Sequence, residues 1–266
     1  MIERLTGAGH VRVYETGRAA SVAAADWIVR AVEISRRERG RAVVGLATGG
    51  TPVGVYGELV QRYRTWSLSF RDVETFNLDE YYPMSPCDRR SYRYYMQEKL
   101  FDHIDIEPNR THVLDGTVPE WAVAEEGARF ERWMEEAGGL DVQLLGIGRN
   151  GHIGFNEPME VPVSEAVVLP TRLAELDAMT REDAAREFGG DVGRVPARAL
   201  TVGTRAILGA RLIVMLALGE RKAGIVARAV EGPATARVPA SLLQTVSERV
   251  VWVLDEAAAA ELSWMK

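Results

Sequence analysis

Val142-Gln143-Leu144-Leu145-Gly146-Ile147-Gly148-Arg149-Asn150-Gly151-His152-Ile153-Gly154-Phe155-Asn156-Glu157-Pro158 is the stretch whose reading decides the fold. Its apolar start reads as a buried strand. Four glycines within nine positions, Gly146 to Gly154, then let the backbone turn sharply, because only glycine enters positive φ without a steric cost. Into that loop the sequence sets Arg149, His152, Asn156 and Glu157. Polar groups just beyond the carboxyl end of a parallel strand lie where open α/β sheets bind ligands.

The same pattern repeats outward along the chain. Ala42-Val43-Val44-Gly45-Leu46-Ala47 is a buried strand running into Thr48-Gly49-Gly50-Thr51-Pro52 and a helix from Val53 to Arg64; threonine followed by proline is a helix-start signal. Val73 to Leu78 is a strand, Asp79-Glu80-Tyr81-Tyr82 opens a loop, and Ser91 to Phe101 is a helix. Val11 to Tyr14, Thr111 to Leu114, Arg211 to Leu218 and Arg249 to Leu254 are further strands. Ala19 to Arg37, Pro119 to Glu136, the stretch from Lys222 to Val230, and Glu256 to Trp264 are helices. Ala166-Val167-Val168-Leu169 has β character from adjacent β-branched residues, and Thr180 to Phe188 is a charged helical stretch. Strands alternating with helices predict an α/β fold: a Rossmann-like, doubly wound, mostly parallel sheet with helices on both faces. No low-complexity linker divides the chain, so residues 1–266 are read as one domain, with 160–188 as a candidate lid.

Composition narrows the function. With 47% hydrophobic residues, a chain of 266 residues can fill a sizeable core. The net charge is −6 with acids and bases interleaved; no basic stripe points to nucleic acid, and none is expected as a partner. The one cysteine, Cys87, excludes an internal disulfide and fits a reducing compartment. No signal-peptide core precedes the first strand. No run approaches the roughly 18 apolar residues of a membrane span. The expectation is a cytoplasmic protein with no membrane partner.

Three loops carry candidate chemistry. The N–H groups of Thr48-Gly49-Gly50-Thr51 face out of a helix start, where the dipole favours an anion, and several convergent donors suit a phosphate; a turn needing glycine only for its geometry is the alternative. Asp79 is a candidate general base at the same sheet edge, or else a helix cap. His152 with Glu157 nearby suggests an imidazole oriented by an acid for proton shuttling. No pair of histidines has metal-ligand spacing, so no metal is expected. No serine or cysteine sits in a nucleophile elbow, which argues against a covalent hydrolase. Arg186 and Lys222 are solvated charges by default, but Lys222 opens a helix just after a buried strand and can hold a phosphate as a point charge.

At these residues the chain resembles the bacterial glucosamine-6-phosphate deaminases. The resemblance rests on Leu46 to Pro52, Phe76-Asn77-Leu78-Asp79-Glu80-Tyr81, Ser91-Tyr92 with Phe101 to Asp105, the Gly146–Pro158 stretch, Val195 to Gly203, and Glu231-Gly232. It implies conversion of glucosamine 6-phosphate and water to fructose 6-phosphate and ammonia, in amino sugar catabolism, without metal or organic cofactor. It further implies that Asp79 takes the proton from C2 of the open-chain sugar and returns it at C1. His152 would open the ring, supported by Glu157. The phosphate would be held by Thr48, Gly49, Gly50, Thr51, Arg186 (placed by its spacing before Val195-Pro196) and Lys222.

Two departures from the family pattern stand out. Asn150 replaces an aspartate that many relatives pair with the histidine, and it is expected to orient His152. Val161 to Leu169 has no Lys or Arg, where some hexameric relatives bind an activating N-acetylglucosamine 6-phosphate; a monomer or small homo-oligomer without such activation is expected. The alternatives are a deaminase for another amino sugar phosphate such as galactosamine 6-phosphate, a 6-phosphogluconolactonase, and a non-catalytic sugar-phosphate sensor.

Overall fold

Every residue of the strand Ala42–Leu46 is buried, and its two faces enter different cores. Val43 packs with Phe76, Phe130 and Leu145 on one side, and Val44 and Leu46 with Ile28, Tyr56 and Leu59 on the other. That is the signature of a parallel sheet covered on both faces, and each large side chain buried this way contributes about 2–3 kcal/mol. The computed structural model describes residues 1–265. Its first half runs β1 (Ile2–Thr6), β2 (Gly9–Tyr14), α1 (Gly17–Arg39), β3 (Ala42–Leu46), α2 (Val53–Arg64), β4 (Val73–Asn77), β5 (Asp79–Tyr82), α3 (Tyr92–Lys99), β6 (Thr111–His112) and α4 (Val123–Glu136). Its second half runs β7 (Val142–Gly146), α5 (Val163–Ala166), β8 (Arg172–Glu175), α6 (Ala178–Ala184), β9 (Arg198–Thr201), α7 (Thr204–Leu208), β10 (Ile213–Ala217), α8 (Ala223–Glu231), β11 (Val250–Asp255) and α9 (Glu256–Ala259).

The main sheet has the order β1-β2-β11-β10-β7-β3-β4-β6. It is parallel except for the β1–β2 hairpin at one edge. From β3 the chain moves outward through β4 to β6. It then returns to the other side of β3 with β7 and continues to β10 and β11. The direction reverses between β3 and β7, so the loops that follow those two strands part there and leave a crevice. At the opposite end of the same strands, the buried Asp141 carboxylate accepts from Val43 N at 2.8 Å and Arg211 Nη1 at 3.1 Å, and pairs with Arg39. Helix α1 starts where Thr16 Oγ1 accepts from Ala19 N and ends where Gly40 takes φ +73°, the usual left-handed stop.

The doubly wound sheet predicted from sequence is present, with an unforeseen strand β1 pairing β2 at its edge, a closing helix of Glu256–Ala259 where Glu256 to Trp264 was expected, and three further differences. Asp79–Tyr82, expected to open a loop, is instead strand β5 of a second, antiparallel sheet ordered β5-β9-β8. Ala166–Leu169, expected to have β character, forms the end of α5 and a turn. There Ala166 is buried against Ala236 and Leu242 and its carbonyl accepts from Thr204 Oγ1, so packing outweighs β-branched propensity. The stretch 160–188, read as a lid, is two things. Its middle, β8, is tied into the second sheet through β9, while α6 and the 3₁₀ turn Ala185–Phe188 lie over the crevice.

Candidate active site

The crevice between the β3 and β7 loops holds a cavity of about 230 Å³. Its floor is Thr48 to Thr51 and Asp79, one wall is Gly146 to Gly148 with His152, and its roof is Thr180, Asp183 and Glu187 from α6 and the following turn. Asp79, His152, the Thr48–Thr51 loop and Lys222, expected together from sequence, all line it.

Asp79 is the first residue of β5, two positions beyond the end of β4. It is 5% exposed. Its only side-chain hydrogen-bond partner among the described residues is Thr48 Oγ1, at a long 3.5 Å. Burial pushes its carboxyl up to about 8; the adjacent Glu80 charge adds to the rise and the Thr48 hydroxyl opposes it. A carboxylate so poorly solvated is a stronger base than one in water. Glu80 points the other way along the strand. Its carboxylate accepts from Tyr81 N and Tyr92 N at 2.9 Å and Arg93 N at 3.0 Å, anchoring the start of α3, where Ser91 is the cap. Burial raises Glu80 to about 7 against those three donors. Thus α3 is fixed to the strand that carries Asp79, and it delivers Tyr92 to the cavity and Tyr95 to the Gly49 carbonyl at 2.7 Å.

His152 sits on the β7 loop with its ring against Gly148, where a Cβ would come within 2.3 Å of Cε1. No other residue fits that position without displacing the imidazole. Nδ1 lies 3.4 Å from Glu157 Oε2 and 3.1 Å from Thr180 Oγ1. Nε2 has no hydrogen-bond partner among the described residues. For Glu157, burial acts upward. The hydrogen bond and charge of His152, with hydrogen bonds from Thr180 and Asn150, outweigh it and hold the carboxyl below its ordinary value. Asn150, expected to orient His152, meets that residue at its main chain. Its Oδ1 accepts from His152 N at 3.1 Å, and its Nδ2 donates to Glu157 Oε2 at 2.8 Å instead of meeting the imidazole. Asn156 is a loop strut: its Nδ2 donates to Ile153 O and Val202 O, and its Oδ1 accepts from Arg172.

The other end of the cavity suits an anion. Gly49 takes φ +92°, which turns the loop so that the N–H groups of Thr48, Gly49, Gly50 and Thr51 have no acceptor among the described residues. Lys222, just before α8, reaches the Ile147 carbonyl at 2.8 Å. Burial lowers its pKa, the Asp183 charge acts upward, and the Arg149 charge downward. Arg186, assigned to the phosphate by resemblance, is not among the residues that line this cavity. On the turn Ala185–Phe188, residues 185 and 188 are buried, Glu187 lines the crevice, and Arg186 is exposed.

Sequence reading missed Thr180, Asp183 and Glu187. They reach the site only because α6 folds back across the β7 loop, where Arg149 Nε donates to Asp183 at 2.8 Å and Asp177 N donates to Glu157 Oε1 at 3.3 Å. No local signal in Met179-Thr180-Arg181 marks that contact. Among the described residues no group of three or more His, Cys, Asp or Glu is placed to hold a metal ion.

The chain matches the family model of glucosamine-6-phosphate isomerases/6-phosphogluconolactonase over residues 15–252. It is 46% identical over 222 residues to a glucosamine-6-phosphate deaminase of Shewanella woodyi, covering 84% of this chain and 81% of that one. It is 43% identical over 252 residues to one of Rhodopirellula baltica, covering 95% of each. A solved structure described as a monomeric glucosamine-6-phosphate deaminase superposes with a TM-score of 0.86 at 37% identity, over 94% of this chain and 99% of that one. The matched span includes both switch-point loops, and the chain belongs to the glucosamine-6-phosphate isomerase/6-phosphogluconolactonase family.

Proposed function

We propose that this protein is a glucosamine-6-phosphate deaminase, converting glucosamine 6-phosphate and water to fructose 6-phosphate and ammonia. The observation that carries the reading is one cavity lined by a buried carboxylate raised to about 8, an imidazole with an acid behind it, and a loop of unclaimed N–H donors beside a lysine. The curated relatives add support, since proteins 46% and 43% identical to the chain bear this activity in their names.

In this reading the phosphate lies on the N–H groups of Thr48 to Thr51, with Lys222 supplying positive charge. His152 Nε2 accepts the proton of the C1 hydroxyl and passes it to the ring oxygen, opening the sugar. Glu157 stabilises the transient imidazolium. Asp79 then removes the C2 proton while a proton of the C2 ammonium passes to O1, giving an enolamine; Asp79 returns its proton at C1, leaving an iminium at C2. Water adds there and ammonia leaves, so the atoms of substrate and water are all accounted for. Asp79 is suited to this step because burial makes it basic, and nothing nearby neutralises it once ionised.

The reading needs no cofactor, and we propose the sugar phosphate as the sole small-molecule partner. We further propose that the chain works in the cytoplasm as one domain, as a monomer or small homo-oligomer, without nucleic acid or membrane. A monomeric solved relative supports the first of those states, and no helix of the described residues is long and apolar enough to cross a membrane. The test is ammonia release from glucosamine 6-phosphate, run beside galactosamine 6-phosphate, with Asp79→Asn as control. Turnover of the gluco epimer that is lost in Asp79→Asn supports the assignment. Turnover of the galacto epimer alone moves it to the other amino sugar phosphate, and none with either removes it.

A further inference from the structure

We propose that the Thr180 hydroxyl is a positioning group for the His152 imidazole, delivered to the ring by the docking of α6. Thr180 is 5% exposed, and its Oγ1 lies 3.1 Å from His152 Nδ1 and 3.5 Å from Asn150 Nδ2. A threonine in a short helix commonly turns its hydroxyl to its own backbone; this one is spent on a residue 28 positions away. The same Nδ1 lies 3.4 Å from Glu157 Oε2.

The donor inventory leaves one consistent arrangement. A hydroxyl has one proton to donate, and a carboxylate can only accept. If Nδ1 carries the imidazole proton, it has two oxygens to donate to, Thr180 Oγ1 at 3.1 Å and Glu157 Oε2 at 3.4 Å. If the hydroxyl donates to Nδ1 instead, the Glu157 oxygen faces a bare lone pair with no proton between them. The first arrangement fixes the Nδ1–H tautomer and leaves Nε2 as an acceptor toward the cavity, the form needed to take a proton from a sugar hydroxyl. Helix α6 is held over the site by Arg149–Asp183 at 2.8 Å and by Asp177 N on Glu157 at 3.3 Å. The tautomer is therefore set by the segment that roofs the cavity, and an undocked α6 leaves His152 with Glu157 alone.

The inference rests on the ring-opening role given to His152 above, and its test separates the two. In ¹⁵N-labelled protein without substrate, long-range ¹H–¹⁵N correlation reads the tautomer of each of the four histidines. Thr180→Val keeps the shape and removes the hydroxyl; Thr180→Ser keeps the hydroxyl. The expected result is Nδ1–H at His152 in wild type and Thr180→Ser, and a mixture in Thr180→Val. With glucosamine 6-phosphate, kcat should fall on the order of tenfold in Thr180→Val, the worth of one hydrogen bond, and by less than about twofold in Thr180→Ser. An unchanged tautomer in Thr180→Val, or a Thr180→Ser as impaired as Thr180→Val, overturns the proposal. A wild type that releases no ammonia removes the function assigned above, while the tautomer spectrum still decides the role of Thr180.

Discussion

Replacing Asp79 by asparagine should stabilise the protein, and by an amount that depends on pH. The carboxyl rises from its ordinary value of 3.8 to about 8 in the fold, chiefly through burial. The native state therefore binds this proton more tightly than the unfolded chain, and wild-type stability falls as pH rises from about 4 to about 8. Each pH unit in that window costs about 1.4 kcal/mol, so relative to acid pH the fold loses ~1.5 kcal/mol by pH 5 and ~4 kcal/mol by pH 7, because the unfolded chain ionises while the fold keeps the proton. Asparagine has no such dependence. Urea unfolding of both proteins at pH 5, 6 and 7 should show Asp79→Asn gaining on wild type by about 1 kcal/mol or more per pH unit. Differences in packing between the two side chains shift all points equally and leave the slope intact. A stability difference that is flat across that range would refute the reasoning, because Asp79 would then ionise in the fold as it does in water.

The same buried carboxyl predicts that kcat/KM rises with pH toward about 8; Glu80→Gln should move that acid limb to lower pH by removing the charge that helps raise Asp79, and an unmoved limb would mean that another group titrates. Asn150→Asp sets a second carboxylate 2.8 Å from Glu157 in place of a donor, so turnover at pH 7 should drop about tenfold or more, read in the ammonia assay; equal or higher turnover contradicts this geometry. Lys222→Met should raise KM for glucosamine 6-phosphate about 10- to 100-fold, with kcat changed far less and any slow turnover of unphosphorylated glucosamine untouched. Gly148→Ala pushes a methyl group into the His152 ring and should lower kcat on the order of a hundredfold while the thermal unfolding midpoint moves little.

The sheet and its two switch-point loops were legible because apolar runs such as Val142–Leu145 end at glycines that allow only a turn. The residues at the crevice were legible for the same reason: His152 and its neighbour Glu157 lie on one loop, and Thr48 to Thr51 on the other. What was hidden depends on chain returning from a distance. Asp79–Tyr82 reads as a loop because its four polar or aromatic residues have no alternation. It becomes a strand only when Arg198–Thr201 comes to pair with it. Thr180 has no local mark, since its partner is on another element. Arg186 is placed by spacing alone; it stands exposed on a 3₁₀ turn whose neighbour Glu187 lines the cavity.

The central claim is that Asp79 carries hydrogen between C2 and C1 of a bound sugar phosphate. Glucosamine 6-phosphate turned over in D₂O, with the fructose 6-phosphate product examined at C1 by NMR, tests it most directly. Wild type should place the transferred hydrogen or a solvent deuteron in a single stereochemical position at C1, and Asp79→Asn should give neither labelled product nor ammonia. Ammonia release by Asp79→Asn within tenfold of wild type would contradict the account.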